Sequence, residues 1–323
     1  MKKCYPLAIA LISIAFFQFD SYAQCDGATG ASPGVDYVVV WEDDFTNNGA
    51  VCSDNWFHQT QPIFNNGQDW SNQELQHYTN STNNSEVVNN DFLQIIARYE
   101  PGYTQDVQND AGNTITVAKD YTSARLNSKF AFTYGKVDVR AKIPSELGTW
   151  PAIWMLGQNL NERGTYWQTQ GFGDTSWPTT GEIDIMEQFD DKTRVDAAIH
   201  TRSSSGATVN KGGTPLANTD TEFHVYTVEW DADKVEFSVD GNAPYYTYNP
   251  TNKIRDPNDP QMNWPFDEPQ FILLNIAMGG IAVTDPTPGS FTSATMEIDY
   301  VRVSQKEQVV PATAPTVAAS APT

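Results

Sequence analysis

The sequence predicts an all-β fold, a large sandwich of two antiparallel sheets. Short segments rich in Val, Ile and aromatic residues recur between turn signals, and several alternate apolar with polar side chains. They cover residues 37–41, 92–98, 136–143, 197–201, 224–230, 235–239, 271–276 and 296–303. Asp240-Gly241 follows one of them as a hairpin signal. No segment sustains the 3.6-residue period of an amphipathic helix, so two packed sheets are expected.

Composition divides the 323-residue chain into three regions. Lys2 and Lys3 precede an apolar run at 6–17, and small residues end at Ala23, so residues 1–23 are predicted to be a signal peptide. The run is shorter than the roughly 20 residues of a spanning helix, which argues against a transmembrane segment. Residues 24–305 form the predicted domain, and residues 306–323 a flexible Pro/Ala/Thr tail or linker. The protein is therefore expected to be secreted, periplasmic or at the cell surface.

The formal net charge of −21 restricts the partners of this chain. Nucleic acids and anionic membranes carry the same sign and are disfavoured, as are strongly sulfated polysaccharides. A neutral substrate fits best, and the protein is expected to be a monomer.

Two of the three cysteines lie beyond the predicted signal peptide. Cys25 and Cys52 form an even pair in an oxidising compartment, so a disulfide between them is predicted, with two free thiols as the alternative. Two cysteines without clustered histidines argue against a zinc site.

Two long stretches lack strand patterning. Residues 158–180 are rich in Gly, Thr and Trp, and residues 245–269 in Pro and Asn. Loops of this length in a compact domain are usually either functional or disordered.

One predicted strand, residues 181–187, carries three acidic side chains. In a regular strand Glu182 and Asp184 share a face, whereas Glu187 would point to the opposite, apolar face. An ionised carboxylate buried there would be very costly. A β-bulge at Ile185-Met186 returns Glu187 to the acidic face, so three carboxylates are predicted to line one face.

Carboxyl groups on one face suit glycoside hydrolysis, which needs a nucleophile and a general acid/base on either side of the scissile bond. Crowded like charges also raise the pKa of at least one of them, as a general acid near neutral pH requires. The spacing alone leaves a solvated acidic edge strand as a second interpretation. Trp177-Pro178 upstream, and Trp150 and Trp154 before the loop, favour the site.

In this context the sequence resembles glycoside hydrolase family 16, most closely its bacterial laminarinase branch. The resemblance spans residues 38–303. Its segments are WEDDF at 41–45, NQELQHYT at 72–79, YTSARL at 121–126, YGKVDVRAKIP at 134–144, WPAIWML at 150–156, GEIDIME at 181–187, FHVYTVEW at 223–230, NIAMGG at 275–280 and IDYVRV at 298–303. The loop at 158–177 is longer than is usual in that branch, and His77 stands where tyrosine is common.

The resemblance implies a β-jelly-roll with a substrate cleft on its concave sheet. Residues 24–305 would be a glycoside hydrolase catalytic domain with a retaining mechanism. Glu182 matches the nucleophile, Asp184 an assisting acid and Glu187 the acid/base. The additional Met186 matches the bulged motif that laminarinases share with agarases and carrageenases.

Three tryptophans are predicted to bind substrate, because sugar rings stack on aromatic faces. Trp150 and Trp177 adjoin the carboxylate strand and are expected in the cleft, with core packing as the alternative. For Trp154, which alternates with apolar neighbours, core support is an equal alternative.

Four polar residues are also predicted to bind substrate, because they match positions near the sugar in the family. They are Asn72, Glu74, Arg125 and His200. Each of three has an alternative interpretation. Glu74 could have a structural role, Arg125 could form a surface salt bridge of little energetic value, and His200 could be a structural histidine whose hydrogen bonds are satisfied.

The resemblance also implies a structural calcium ion. Asp299 matches a position that often binds it, with backbone carbonyls near Asp44 and Asn90 completing the ligands, and calcium prefers such oxygen donors. No catalytic metal or organic cofactor is expected.

The predicted function is retaining endo-hydrolysis of a neutral β-1,3-glucan such as laminarin. Mixed-linkage glucan, agarose or another neutral galactan would suit the same mechanism. A non-catalytic β-glucan-binding protein is the alternative from another class, and the presence of both glutamates favours the enzyme.

Overall fold

The computed structural model describes residues 36–287 and 289–306. The predicted signal peptide, Cys25 and the tail beyond Lys306 lie outside this part of the chain, so the cleavage site, the disulfide and the tail stay predictions. Lys306 itself ends the last strand, one residue past the predicted domain boundary. Within the described part, no helix has the length and apolarity to cross a membrane.

Strands make up most of the described chain. They are β1 (Tyr37–Asp43), β2 (Trp56–His58), β3 (Gln76–Tyr78), β4 (Ser85–Val88), β5 (Phe92–Gln108), β6 (Thr114–Ser123), β7 (Arg125–Phe132), β8 (Gly135–Lys142), β9 (Thr149–Gly157), β10 (Glu182–Glu187), β11 (Arg194–His200), β12 (Lys211–Pro215), β13 (His224–Trp230), β14 (Val235–Val239), β15 (Tyr246–Tyr248), β16 (Gln270–Met278) and β17 (Ser293–Lys306). A 3-10 turn at Ser71–Gln73 and a one-turn helix, α1, at Tyr166–Thr169 are the only helical elements among the described residues.

The strands form two sheets, which confirms the predicted jelly-roll sandwich. The ten-stranded sheet runs β15-β14-β13-β8-β17-β5-β6-β3, with β1 beside β17 and β4 beside β5. The seven-stranded sheet runs β12-β11-β10-β9-β16-β7-β2 and is antiparallel throughout. The carboxylate strand β10 therefore has a hydrogen-bonded neighbour on each side, which rules out the acidic edge strand.

Alternation along the strands places the core between the sheets. In β11, Val195, Ala197 and Ile199 join the main apolar cluster, whereas Arg194 and His200 face the other way. Because side chains alternate with period two, the seven-stranded sheet has an inner face on the core and an outer face that is partly polar. We call this second surface the outer face.

The loop at 158–180 covers part of the outer face. Leu160 and Trp167 of the loop pack with Leu156 of β9 and with Phe271 and Leu273 of β16 in a second apolar cluster. These strand residues alternate with those of the main core, so the cluster lies on the opposite side of the sheet. The loop is therefore packed on the sheet beside the carboxylate strand β10, and we call it the packed loop.

The stretch at 245–269 belongs to the body of the fold. Trp264 and Phe266 are fully buried in the main core, and Tyr248 packs against both rings. Asp267 accepts hydrogen bonds from Tyr134 and from the indole of Trp264, and the first of these ties the stretch to the turn before β8. Its length reflects core packing rather than disorder.

Candidate active site

The bulge predicted in β10 is confirmed by the strand register. Against β11 the register shifts between Asp184 and Glu187, and against β9 it shifts between Asp184 and Met186. Ile185 and Met186 are consecutive, yet both are buried in the main core. Two neighbouring residues thus face inward, and Glu187 returns to the outer face beside Glu182 and Asp184.

Each glutamate accepts a hydrogen bond from one indole. Trp177 Nε1 donates to Glu182 Oε2 at 2.7 Å, and Trp150 Nε1 donates to Glu187 Oε1 at 2.9 Å. An indole is a donor with no acceptor capacity, so both contacts favour an oxygen that carries negative charge. The structure places both tryptophans beside the carboxylates, as predicted, and Trp177 is 42% exposed, which leaves a free aromatic surface.

His200 lies against the same carboxylates. Its Nε2 is 3.1 Å from Asp184 Oδ2 and 3.7 Å from Glu182 Oε1. Burial alone would lower the pKa of His200, but the hydrogen bond and charge of Asp184, helped by Glu182, raise this pKa to about 9. The imidazole is therefore a cation at neutral pH. This pairing favours a functional histidine over a satisfied structural one.

Burial is the main reason that the carboxyl groups hold protons. It raises the pKa of both Glu182 and Glu187, and the nearby charge of Asp184 raises both further. Three interactions oppose the rise in the pKa of Glu182: the charge of His200, the Trp177 hydrogen bond and the charge of Arg125. The group as a whole retains a proton near neutral pH, and the positive charge beside Glu182 favours Glu187 as the residue that carries it.

Replacing His200 with Asn should move the acidic limb of the pH profile upward. The cation lowers the pKa of Glu182, so its loss raises that pKa, and the ionised nucleophile then appears only at higher pH. We expect the acidic limb of kcat/KM to shift by about one pH unit. His224→Asn is the matched control, since His224 pairs with Asp240 at 2.7 Å on the other sheet. An unchanged acidic limb in His200→Asn would contradict this assignment.

Trp154 of β9 and Arg125 of β7 continue the outer face on the side of β10 away from β11. The Arg125 guanidinium lies 4.8 Å from the centre of the Trp154 ring and 5.2 Å from that of Trp70. It also pairs with Glu162 of the packed loop at 3.2 Å, and the Trp154 indole donates to Asn275 at 2.7 Å. Trp154 is thus on the outer face and not in the main core. The Arg125 salt bridge is buried rather than at the surface.

Glu74 and Asn72 differ in burial and in their hydrogen-bond partners. Glu74 is buried and accepts hydrogen bonds from Gln76, at 2.8 Å, and from Tyr78 and Ser71. These donors satisfy the carboxyl group internally, which favours a structural role. Asn72 is exposed, and its backbone oxygen accepts a hydrogen bond from the backbone N–H of Ile281. Sugar contact by either residue stays a prediction.

Three site residues were not predicted: Trp70, Glu162 and Asn275. Trp70 stands two residues before the Asn72 segment, and Asn275 opens the NIAMGG segment, so position in those motifs could have suggested both. Glu162 lies in the long loop, and only the packing of that loop brings it to Arg125.

One described group has the composition of a metal site. Ligand atoms of Glu182, Asp184 and His200 all lie within 4.8 Å of one another. The contact with Asp184 raises the pKa of His200 to about 9, so a metal ion would have to displace a proton from this imidazole in order to bind. The arrangement therefore suits proton and charge control better than metal binding.

The one carboxylate among the predicted calcium ligands is engaged in an ion pair. Asp299 pairs with Arg140, whose guanidinium group occupies charge that a calcium ion would use, so this contact does not favour the site. Calcium binding by Asp44, Asn90 and Asp299 stays a prediction.

The chain is similar to glycoside hydrolases in its sequence and in its structure. The sequence model described as glycosyl hydrolases family 16 matches residues 97–302. A beta-glucanase of Rhodothermus marinus is 35% identical over 83% of this chain and 85% of its own length. Glucan endo-1,3-beta-glucosidase A1 of Niallia circulans is 35% identical over 84% of this chain and 38% of its own length. The structure of LamA from Zobellia galactanivorans with laminaritriose and laminaritetraose is 41% identical, covers 83% of this chain and 98% of that one, and has a TM-score of 0.68.

Proposed function

The chain belongs to family 16 of the glycosyl hydrolases and is a glycoside hydrolase, and from this premise we propose that it cleaves β-1,3-glucan internally with retention of configuration. The observation that carries the proposal is the bulge in β10, which sets Glu182 and Glu187 on one face of one strand. Retention needs two carboxyl groups close enough to reach the same glycosidic bond from opposite sides.

In the first step, we assign Glu187 as the acid. It transfers its proton to the glycosidic oxygen while ionised Glu182 attacks the anomeric carbon, so the leaving sugar departs and a glycosyl ester forms on Glu182. In the second step, Glu187 takes a proton from water, which attacks the same carbon and releases Glu182. Burial favours the protonated form of Glu187 before the first step.

Asp184 and His200 support this exchange without taking part in bond formation. The His200 cation offsets the negative charge of Asp184 and Glu182, so a second carboxylate can stay ionised beside Glu187. When Glu182 becomes an ester, its charge disappears and the repulsion on Glu187 falls. That change lowers the pKa of Glu187 and suits its second task as a base.

We assign the Trp154–Arg125 side of the cleft to the sugars that stay on the enzyme. Trp154 supplies an aromatic surface on the outer face, and Arg125 and Asn275 supply polar groups next to it. The packed loop bounds this side. The relatives named as glucanases, and LamA with its bound laminari-oligosaccharides, support glucose linked β-1,3 as the substrate.

A panel of neutral polysaccharides tests the substrate. The purified protein should release short oligosaccharides of mixed length from laminarin early in the reaction, as internal cleavage requires. Mixed-linkage glucan, agarose and porphyran are the comparison substrates. Oligosaccharides from agarose with none from laminarin would overturn the glucan assignment and leave the two-glutamate mechanism standing, whereas binding of laminarin without any product would favour a β-glucan-binding protein.

A further inference from the structure

The outer face of β11 carries an ion pair next to the acid/base. Asp196 is the direct partner of Glu187 across the β10–β11 ladder. Opposite residues in antiparallel strands have Cα atoms about 4.5–5.5 Å apart and side chains on the same face. Arg194 lies two residues before Asp196 and shares that face with His200. The pair thus borders Glu187 on the side away from Trp150.

The Arg194–Asp196 pair is bidentate. Arg194 Nε donates to Asp196 Oδ2 at 3.2 Å, and Nη2 donates to Oδ1 at 2.5 Å. The side chains are 43% and 24% exposed, so the pair is open to solvent. Among the described residues, none accepts a hydrogen bond from Nη1. The Arg194 guanidinium can therefore still donate hydrogen bonds from Nη1, and the Asp196 oxygens can still accept further ones.

Gly213 provides the space that this pair occupies. It is the partner of Asp196 on β12. A Cβ at position 213 would lie 2.0 Å from Arg194 Nη2 and 2.1 Å from Asp196 Oδ1, so the pair lies flat over the glycine. The φ of Gly213 is outside the left-handed region, so space rather than backbone conformation requires glycine here. A glycine inside a strand weakens it and often marks a place of close approach.

We propose that the Arg194–Asp196 pair, held over Gly213, binds the sugar on the leaving-group side of the scissile bond. This inference rests on the proposed function, because Glu187 must reach the oxygen of that sugar. The Trp154–Arg125 side holds the sugars that stay on the enzyme, so the leaving sugar extends toward β11 and β12. Adjacent sugar hydroxyls both donate and accept hydrogen bonds, and the pair offers a carboxylate acceptor and guanidinium donors side by side.

A purely structural ion pair would not need this arrangement. Exposed pairs contribute about 0–1 kcal/mol to stability, which does not explain a glycine in the middle of the edge strand β12. The Lys234–Glu236 pair provides the comparison within this chain. It has the same spacing, with side chains 41% and 23% exposed, but belongs to the other sheet.

Two substrates separate binding of the leaving sugar from general damage. One is a β-1,3-linked glucose hexamer, and the other is a nitrophenyl β-glycoside whose leaving group is not a sugar. For Arg194→Ala, kcat/KM on the hexamer should fall about tenfold or more, the scale of a lost hydrogen bond to a charged group. On the nitrophenyl glycoside the change should stay within about twofold, since that leaving group cannot use the pair.

Two further variants complete the test. Gly213→Ala places a methyl group where the pair lies and should give the same selective loss, whereas Lys234→Ala should lose neither activity. Thermal unfolding of each variant checks the fold. The inference would be overturned if Arg194→Ala and Gly213→Ala lost kcat/KM equally on both substrates, or if neither variant lost kcat/KM on the hexamer. A wild-type protein that hydrolyses the nitrophenyl glycoside but no glucan would instead contradict the proposed substrate.

Discussion

Replacing Glu182 with Gln should lower kcat on laminarin by on the order of 10⁴-fold or more, the scale seen when a covalent nucleophile is removed. The amide has nearly the same shape, but it cannot form the glycosyl ester. Its oxygen can still accept the hydrogen bond that Trp177 donates at 2.7 Å. Binding of laminarin, measured by calorimetry, should therefore remain close to that of the wild type.

The fold should tolerate this change. Burial and the charge of Asp184 both raise the pKa of Glu182, so the ionised side chain is disfavoured there, and a neutral amide relieves that cost. The melting temperature should stay the same or rise. Glu236→Gln, on the other sheet, is the control for loss of one negative charge. Undiminished hydrolysis of laminarin by Glu182→Gln would contradict the assignment of Glu182 as the nucleophile.

Replacing Glu187 with Ala should separate the two steps of the reaction. On laminarin, kcat should fall by about 10²- to 10⁴-fold, because the leaving sugar then departs without a proton from a general acid. A nitrophenyl glycoside needs little such help, so its first step should stay fast and the glycosyl ester should accumulate. A burst of nitrophenol followed by a slow steady state, recorded by stopped-flow absorbance, is the expected signature.

Azide provides the control for this variant. Because azide needs no base, it should restore turnover of the nitrophenyl glycoside by Glu187→Ala and yield a glycosyl azide of β configuration. With Glu182→Gln, azide can act only in place of the missing nucleophile, by direct attack on the anomeric carbon, which gives a glycosyl azide of α configuration. An α azide from Glu187→Ala, or a β azide from Glu182→Gln, would mean that the two roles are reversed or that the reaction is not a double displacement.

The arrangement of β10 could be predicted from the sequence because burying an ionised carboxylate in the core is very costly, and this restricts which face of the strand each side chain can occupy. Glu182 and Asp184 alternate with Ile183, so one face is acidic and the other apolar. Met186 then breaks the alternation by one residue before Glu187, and only a bulge keeps that carboxylate off the core. The register shifts between Asp184 and Glu187 match this reasoning.

The sequence placed Trp150 and Trp177 near the carboxylates, but the individual contacts could not be predicted, because loop conformation determines them. Trp177 approaches Glu182 from the end of the long loop, and Glu162 reaches Arg125 only because Leu160 and Trp167 pack the loop onto the outer face. Strand periodicity carries no information on such contacts. The same holds for Asp299, whose ion pair with Arg140 depends on which neighbour lies across the sheet.

The stereochemistry of the product tests the central claim most directly. If the bulge sets Glu182 and Glu187 on opposite sides of one glycosidic bond at the separation of a double displacement, the first sugar released carries its new reducing end in the β configuration. Proton NMR of laminarin digestion, recorded within the first minutes, resolves the two anomers before they interconvert. We expect the β-anomer signal to appear first and the α signal to grow only later by mutarotation. An α-anomer signal that appears first would mean inversion and would contradict the mechanism.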